Sequence, residues 1–108
     1  MKKLTWILAL VLLLPVAAAA EMQMSAGDKA LMASMGPMDK GMSSAPMTGN
    51  TDKDFVAMMI PHHQGAIDMA KAELKYGTDP QIRSMAKGIV AAQTKEIAEM
   101  KAWQAKHK

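Results

Sequence analysis

Cysteine is absent from this 108-residue chain, and aromatic residues make up only 4% of it. Without cysteine the protein has no disulfide and no thiolate to act as a ligand or nucleophile. No glutamate precedes a histidine by three residues, as in di-iron carboxylate bundles. The His-Glu-x-x-His pattern of zinc peptidases is also missing. These absences argue against a catalytic metal centre, and we expect a protein that is not an enzyme.

The first twenty residues have the pattern of an export signal. Lys2 and Lys3 precede an apolar run over residues 4–16, and the alanines at 17–20 supply the small residues of a cleavage site. The run is shorter than the roughly 20 residues of a membrane-spanning helix, so we expect cleavage near Glu21 and a periplasmic or secreted protein without stable membrane insertion. The rest of the chain has 11 basic and 10 acidic residues, which gives no electrostatic basis for binding nucleic acid.

Methionine is abundant, with 13 residues in the chain. Seven lie between residues 21 and 50, among serine, alanine, glycine and proline: Met22, Met24, Met32, Met35, Met38, Met42 and Met47. This composition predicts a flexible arm, with at most a short helical turn over Asp28 to Met35 that Asp28 could cap. Thioethers suit Cu(I), so the arm methionines are auxiliary metal-binding candidates. A role as an oxidant sink is the alternative.

Residues 51–108 have the periodicity of helices. Thr51 or Asp52 can cap a first helix that Gly77 ends, and Asp79 followed by Pro80 can begin a second helix that runs to about residue 104. The short connection makes the helices antiparallel, so the prediction is an all-α helical hairpin, which is half of a four-helix bundle. One hairpin is too small to bury a self-sufficient core. We therefore expect a homodimer or stabilisation by a metal ion.

Two adjacent histidines follow Pro61 in the middle of the first predicted helix. At about 100° per residue, His63 falls on the stripe that faces the core. His62 falls on a flanking stripe with Met58 and Met69. Histidine between methionines predicts a metal site, although methionine at this spacing also fills ordinary cores.

Folding the hairpin near residue 77 predicts which residues of the two helices lie level with each other. The expected pairs are His62 with Gln93, His63 with Ala92, Met59 with Glu96, and Phe55 with Met100. Imidazole and thioether together favour copper, Cu(I) before Cu(II), with Ag(I) as a mimic. Gln93 and Glu96 are expected behind the ligands, where each could accept the other N–H of an imidazole.

The Met-Ile-Pro-His-His run at residues 59–63, followed on the second helix by Gln, Glu-Ile, Met and Trp, resembles the CopM-like copper-binding family. The resemblance covers about residues 52–104. It implies an extracytoplasmic, ferritin-like four-helix bundle that binds copper and contributes to copper tolerance. The ligands it implies are Met59, His62, His63, Met69 and Met100. Longer members carry two hairpins, whereas this chain has one, which favours a dimer.

These patterns predict a copper buffer or carrier that works with other periplasmic copper-handling proteins. Binding through histidine should weaken below about pH 6, because the imidazole must be neutral. A Met-rich helical interaction module with incidental metal binding is the main alternative. A di-iron-type oxidase is less favoured. Loss of copper binding when His62 and His63 are replaced would favour the copper buffer or carrier, and unchanged copper binding would favour the interaction module.

Overall fold

Three α-helices form most of residues 23–108, the part of the chain that this computed structural model describes. Helix α1 spans Ala26–Ser43, α2 spans Thr51–Tyr76 and α3 spans Pro80–Lys106. The predicted all-α class is confirmed. The prediction of a two-helix hairpin is incomplete, because a further helix, α1, precedes the hairpin. The predicted signal at 1–20 and Met22 lie outside the described residues. None of the helices within residues 23–108 is long and apolar enough to cross a membrane.

Helix α2 begins where an asparagine side chain satisfies a free backbone donor. The Asn50 side chain accepts a hydrogen bond from the Lys53 N–H at 3.1 Å. Asn50 is therefore the N-cap, one residue before the predicted Thr51. The helix ends at Tyr76, and Gly77 follows it as predicted.

Helix α3 begins as the sequence predicts. The Asp79 carboxylate accepts a hydrogen bond from the Ile82 N–H at 2.9 Å, and Pro80 occupies the first turn. The Arg83 guanidinium donates to the Leu74 carbonyl at 2.6 Å and to the carbonyl of the residue after α2 at 3.1 Å. These bonds satisfy carbonyls at the end of α2 and hold the two helices together as an antiparallel hairpin.

The methionine-rich segment before residue 50 is where the fold prediction is wrong. Instead of a flexible arm with one short turn, it forms the 18-residue helix α1. Ser25, not Asp28, is the cap, and its hydroxyl accepts a hydrogen bond from the Asp28 N–H at 3.0 Å. Gly36, Pro37 and Gly41, residue types that disfavour helix and contributed to the prediction of a flexible arm, lie inside the helix. Their cost to an isolated helix is offset by packing against α2.

Glycine allows α1 to approach α2 closely. A Cβ atom built on Gly41 would lie 2.6 Å from the Pro61 Cβ, closer than nonbonded carbon atoms can approach. A Cβ atom on Gly27 would lie 3.0 Å from the Tyr76 Cβ. The start of α1 therefore meets the end of α2, and the two helices are antiparallel.

Helix α2 is the middle helix of a single layer. It packs against α1 on one side and α3 on the other, and α1 and α3 do not contact each other. Ser34 is the buried residue of α1, and Gly65 of α2 is buried where Met38 of α1 lies against it. The buried apolar residues of the described chain are Val56, Ile67, Ala70, Ala86 and Ile97. They belong to the stripes predicted to face each other in the hairpin.

The layer has one apolar and one polar face. At about 100° per residue, Phe55 and Met69 project from the opposite side of α2 to Lys71 and Lys75. Large apolar side chains that remain 38–59% exposed on α2 and α3 are Phe55, Met69, Ile82, Met85 and Ile89. Such a face is what half of a helix bundle presents to its other half.

Asp54 ties the connection between α1 and α2 to the start of α2. Its carboxylate accepts hydrogen bonds from the Thr48 N–H at 2.9 Å, the Thr48 hydroxyl at 2.7 Å and the Gly49 N–H at 3.1 Å. These bonds, that from the Thr48 N–H foremost, hold the pKa of Asp54 below its ordinary value of 3.8. Gly49 has a φ of 84°, which glycine adopts without strain.

Protonation of Asp54 should destabilise the fold in acid. Because its folded-state pKa is lowered, its contribution is present above the unfolded-state pKa and is lost as the pH falls through the folded-state value. Asp54→Asn should lower the melting temperature at neutral pH and reduce the loss of stability below about pH 4. Thermal melts at neutral and acidic pH check this. The exposed Asp39→Asn is the control, and an unchanged acid profile in Asp54→Asn would contradict the assignment.

Candidate metal site

A carboxylate on α3 holds the imidazole of His63 on α2. The His63 Nε2 lies 2.5 Å from the Glu96 Oε2, and the two side chains are 14% and 50% exposed. A carboxylate can only accept, so Nε2 carries the proton in this contact. The lone pair of the neutral imidazole is then on Nδ1, which is buried without a hydrogen-bond partner. Glu96 thus fixes the ring and leaves one nitrogen donor free.

This contact lies one helical turn further along α3 than the predicted register. The sequence pairing put Ala92 opposite His63, whereas His63 reaches Glu96. Helical side chains lean toward the N-terminus of their own helix. In an antiparallel pair, the two side chains therefore lean toward each other when their Cα atoms are offset along the helix axes. A register that pairs the Cα atoms directly opposite each other does not include this offset.

Two thioethers lie in the same groove as His63. The groove between α2 and α3 has a volume of about 600 Å³, and Met59 and Met100 both line it. Phe55 lines it together with Met100. Of the predicted site residues, the structure thus brings Met59, His63, Glu96 and Met100 to one place.

Trp103, which the sequence analysis did not include among the site residues, also lines this groove. Its ring stacks on that of His107, with centroids 4.2 Å apart and planes 14° apart. The i,i+4 spacing of these two residues on α3 could have indicated the pair. An indole at the wall of the groove provides a fluorescent reporter of anything that binds there.

Gln93 provides a second buried acceptor without a partner. Its Oε1 is buried and makes no hydrogen bond, and Gln93 lies about one turn before Glu96 on α3. Buried polar atoms are normally paired, and an unpaired one is a place to look for a water or an ion. Gln93 does not line the groove that Met59, His63 and Met100 share.

Three of the predicted ligands lie outside this groove. His62 is exposed, and its ring centroid is 6.1 Å from that of His63 with the planes 59° apart. Met69 lines a separate groove, together with Leu31 of α1. Met58 is half-buried and lies one turn before His62. The predicted cluster is therefore divided over the surface of α2.

The arm methionines fall into two groups. Met24, Met38 and Met42 are half-buried. Met32, Met35 and Met47 are 60%, 39% and 77% exposed. Helix α1 therefore holds some thioethers against the protein and presents others to solvent, which a flexible arm would not do.

Histidine and carboxylate side chains alone do not form a metal site within residues 23–108. No three of them lie close enough to hold an ion there. The Asp54 carboxylate, for example, is occupied by backbone and hydroxyl donors. A metal site in this part of the chain therefore needs thioether or amide donors beside an imidazole. That donor set favours soft ions over the harder ions that bind carboxylates.

Comparison with known proteins gives the family of the chain. A family described as a domain of unknown function, DUF305, matches residues 5–104, which include α1, α2 and all but the last two residues of α3. An uncharacterized protein of Acanthamoeba polyphaga mimivirus is 43% identical over 49 residues, which are 45% of this chain and 32% of the viral protein. The chain thus matches about a third of that relative's length. With nearly its whole length matched by the family, this protein belongs to DUF305.

Proposed function

We propose that this protein binds Cu(I) in the groove between α2 and α3 and acts as an exported copper buffer or carrier. The observation that supports this most is the state of His63. Glu96 holds its Nε2, while its Nδ1 is buried and unpaired. Met59 and Met100 line the same groove.

The donor chemistry supports Cu(I) over other common ions. One neutral imidazole and two thioethers are soft ligands without charge, and thioethers select Cu(I). Cu(II) prefers nitrogen and oxygen donors in a tetragonal arrangement, so it is the weaker candidate, and Ag(I) is a redox-inert mimic. Glu96 would act as the carboxylate behind a metal-bound histidine, fixing its orientation and raising its basicity.

The cellular role follows from the resemblance to the CopM-like family and from the predicted signal at residues 1–20. In this proposal the protein works in the periplasm, holds copper there and passes it to other copper-handling proteins. Deleting the gene should increase sensitivity to added copper, and restoring the wild-type chain should reverse the effect. If copper tolerance depends on the groove, the His63→Ala protein should not restore copper tolerance to the deletion strain.

A homodimer is part of the proposal, because the apolar face of α2 and α3 is open. Phe55 and Met85 are 59% and 57% exposed there. A second copy that packed face to face would form a four-helix core from two hairpins. The same exposed face also favours the alternative function, a Met-rich interaction module whose metal binding is incidental. Such a module would keep its contacts with a partner protein when both His62 and His63 are replaced by alanine.

His63→Ala tests the copper site directly. The variant should lose high-affinity Cu(I) binding in the groove, because the imidazole that Glu96 orients is gone. An anaerobic titration against a chromophoric Cu(I) chelator measures the affinity, and Trp103 fluorescence reports the groove. His107→Ala is the matched control for the chelator titration, since His107 is exposed at the end of α3; it is not a control for the fluorescence, because its ring stacks on Trp103. If His63→Ala kept wild-type affinity, the proposed site would be wrong.

Glu96→Gln separates a positioning role from direct ligation. Removing a carboxylate behind a metal-bound histidine typically lowers metal affinity by about 10–100-fold. We expect a decrease of this size with the number of bound ions unchanged, because the ligand atoms remain. A loss of the ion altogether would mean that Glu96 is itself a ligand. Affinity equal to wild type would mean that the contact with His63 has no part in binding.

A further inference from the structure

The fold separates the charges of α2 and α3 between the two faces of the helical layer. Lys71 and Lys75 are exposed on the polar face of α2. On α3, Lys87 is also exposed, and it lies about 160° around the helix from Met85, two residues away on the apolar face. The exposed Lys101 follows Lys87 by about four turns on the same side of α3. The polar face therefore carries lysines from both helices.

Four acidic residues of these helices lie toward the apolar face instead. Asp52, Glu96 and Glu99 line the groove between α2 and α3. Glu73 lines the second groove, to which Met69 belongs. Among the described residues, no lysine or arginine lines either groove. The two faces thus carry charges of opposite sign.

Little negative charge balances the lysines of the polar face. Asp68 lies on the same side of α2, and its carboxylate accepts a hydrogen bond from the Gln64 amide at 3.1 Å. Within residues 23–108, the only lysine that forms an ion pair is Lys95, whose partner is Glu99. The near balance of basic and acidic residues along the chain therefore conceals a positively charged face.

The shape and composition of the polar face fit a flat, negatively charged surface. The three helices lie side by side in one layer, so the lysines of α2 and α3 can approach a plane together. Lysine is a flexible, hydrated point charge, whereas bidentate recognition of single phosphate or carboxylate groups favours arginine. The guanidinium of Arg83 is already occupied by two backbone carbonyls. The chemistry of the face is therefore that of diffuse electrostatic attraction.

A protein partner fits the polar face less well than a lipid surface does. Stable interfaces between proteins have an apolar centre within a polar rim. The exposed large apolar side chains of α3, which are Ile82, Met85 and Ile89, belong to the apolar face. The polar face of α3 thus lacks such a centre, and it also lacks large apolar side chains that would insert into lipid.

We propose that the polar face binds the surface of a bilayer that contains anionic phospholipids. Clusters of about 4–8 basic residues bind such surfaces through the attraction of their charges to the lipid headgroups. The protein is then held at the membrane without insertion, and the groove that Met59 and Met100 line opens away from the lipid. This role goes beyond copper binding and does not depend on it.

Vesicle binding by two variants of equal charge tests the proposal. The polar-face variant combines Lys71→Gln, Lys87→Gln and Lys101→Gln. The control variant combines Lys95→Gln, Lys106→Gln and Lys108→Gln, at the outer edge and the end of α3. All six side chains are exposed, so neither variant should change the melting temperature much.

The chain from about residue 21 onward, without metal, should sediment at low salt with vesicles of phosphatidylglycerol and phosphatidylcholine, and not with phosphatidylcholine alone. The polar-face variant should bind about 100-fold more weakly, because each lysine near such a surface contributes about fivefold. The control variant should lose less than about tenfold. About 1 M salt should release the wild-type chain, since it shortens the screening length to about 3 Å. Absence of wild-type binding, or equal losses in the two variants, would overturn the proposal.

Trp103 fluorescence identifies the face that meets the bilayer. Trp103 is the only tryptophan from residue 21 onward, and it lines the groove on the apolar face. Lipids brominated in their acyl chains should therefore leave its emission unquenched. Quenching would mean that the apolar face inserts instead, which contradicts the proposal. Binding to polyglutamate without binding to the vesicles would also contradict it and would assign the polar face to an acidic polypeptide.

Discussion

Replacing Ile67 with alanine should destabilise the protein by about 2–5 kcal/mol, the range measured for removal of a large aliphatic side chain from a core. Ile67 is 5% exposed, in the middle of α2, and is among the few apolar side chains that the described layer buries. Domains of this size have a total stability of only about 5–15 kcal/mol. Much of the folded population could therefore be lost. Urea unfolding followed by circular dichroism and by Trp103 fluorescence measures the change.

Ile82→Ala is the matched control for this prediction. It removes the same atoms from a side chain that is 47% exposed on α3, so an isolated chain should lose less than about 1 kcal/mol. If a second copy covers Ile82, the loss should instead grow as the protein concentration rises, because association stabilises the folded state. Equal effects of Ile67→Ala and Ile82→Ala in dilute protein would contradict the assignment of the core.

The two helices of the hairpin could be predicted because their ends and buried stripes depend on local sequence. Asp79 and Pro80 determine the start of α3, and Gly77 follows the last residue of α2. The core stripe of α2 follows from helical spacing alone: Ile67 lies four residues after His63, which was predicted to face the core, and Ile67 is buried. Such features need no knowledge of tertiary contacts, so one sequence is enough to predict them.

Helix α1 was missed because its stability comes from contacts outside the helix. Gly36, Pro37 and Gly41 lower its intrinsic helicity, so the sequence alone favours a loop. Two signals point the other way. Ser25 stands three residues before an acid, as a helix cap does, and Leu31, Met38 and Met42 recur at helical spacing. The close approach of Gly41 to Pro61 becomes evident only when both helices are in place.

The candidate site was predicted in its parts but not in its arrangement. Helical projection placed His63 toward the core, and His63 is the histidine that contacts α3. The same projection grouped His62 with Met69 on one stripe of α2. It could not include the methionines of α1, because that helix was not expected. In the structure His62 is exposed, and Met69 lines another groove.

Gly41→Leu should displace α1 from α2. The built Cβ atom at Gly41 already lies 2.6 Å from the Pro61 Cβ, and a proline ring cannot rotate away. Overpacking of this kind typically costs about 1–3 kcal/mol, and α1 has few fully buried side chains to offset that cost, since Ser34 is its buried residue. We expect lower helicity by circular dichroism and rapid proteolysis between residues 26 and 43.

Gly88→Leu is the matched control, because it makes the same change at a helical glycine that has room for a side chain. Beyond its chain neighbours, a Cβ atom on Gly88 in α3 would meet nothing within 4 Å, so the substitution should stabilise α3 by about 0.5–1 kcal/mol through helix propensity alone. The same change at these two helical glycines should thus act in opposite directions. If Gly41→Leu also stabilised the protein, α1 would not be docked on Pro61 as described.

Gly41→Leu also tests whether the proposed copper site depends on the docking of α1. The groove between α2 and α3 contains no residue of α1, and its ion should remain, with His63 as its imidazole ligand. Retention of one Ag(I) equivalent together with the Trp103 response is the expected result. Loss of this ion would mean that α1 supports the groove.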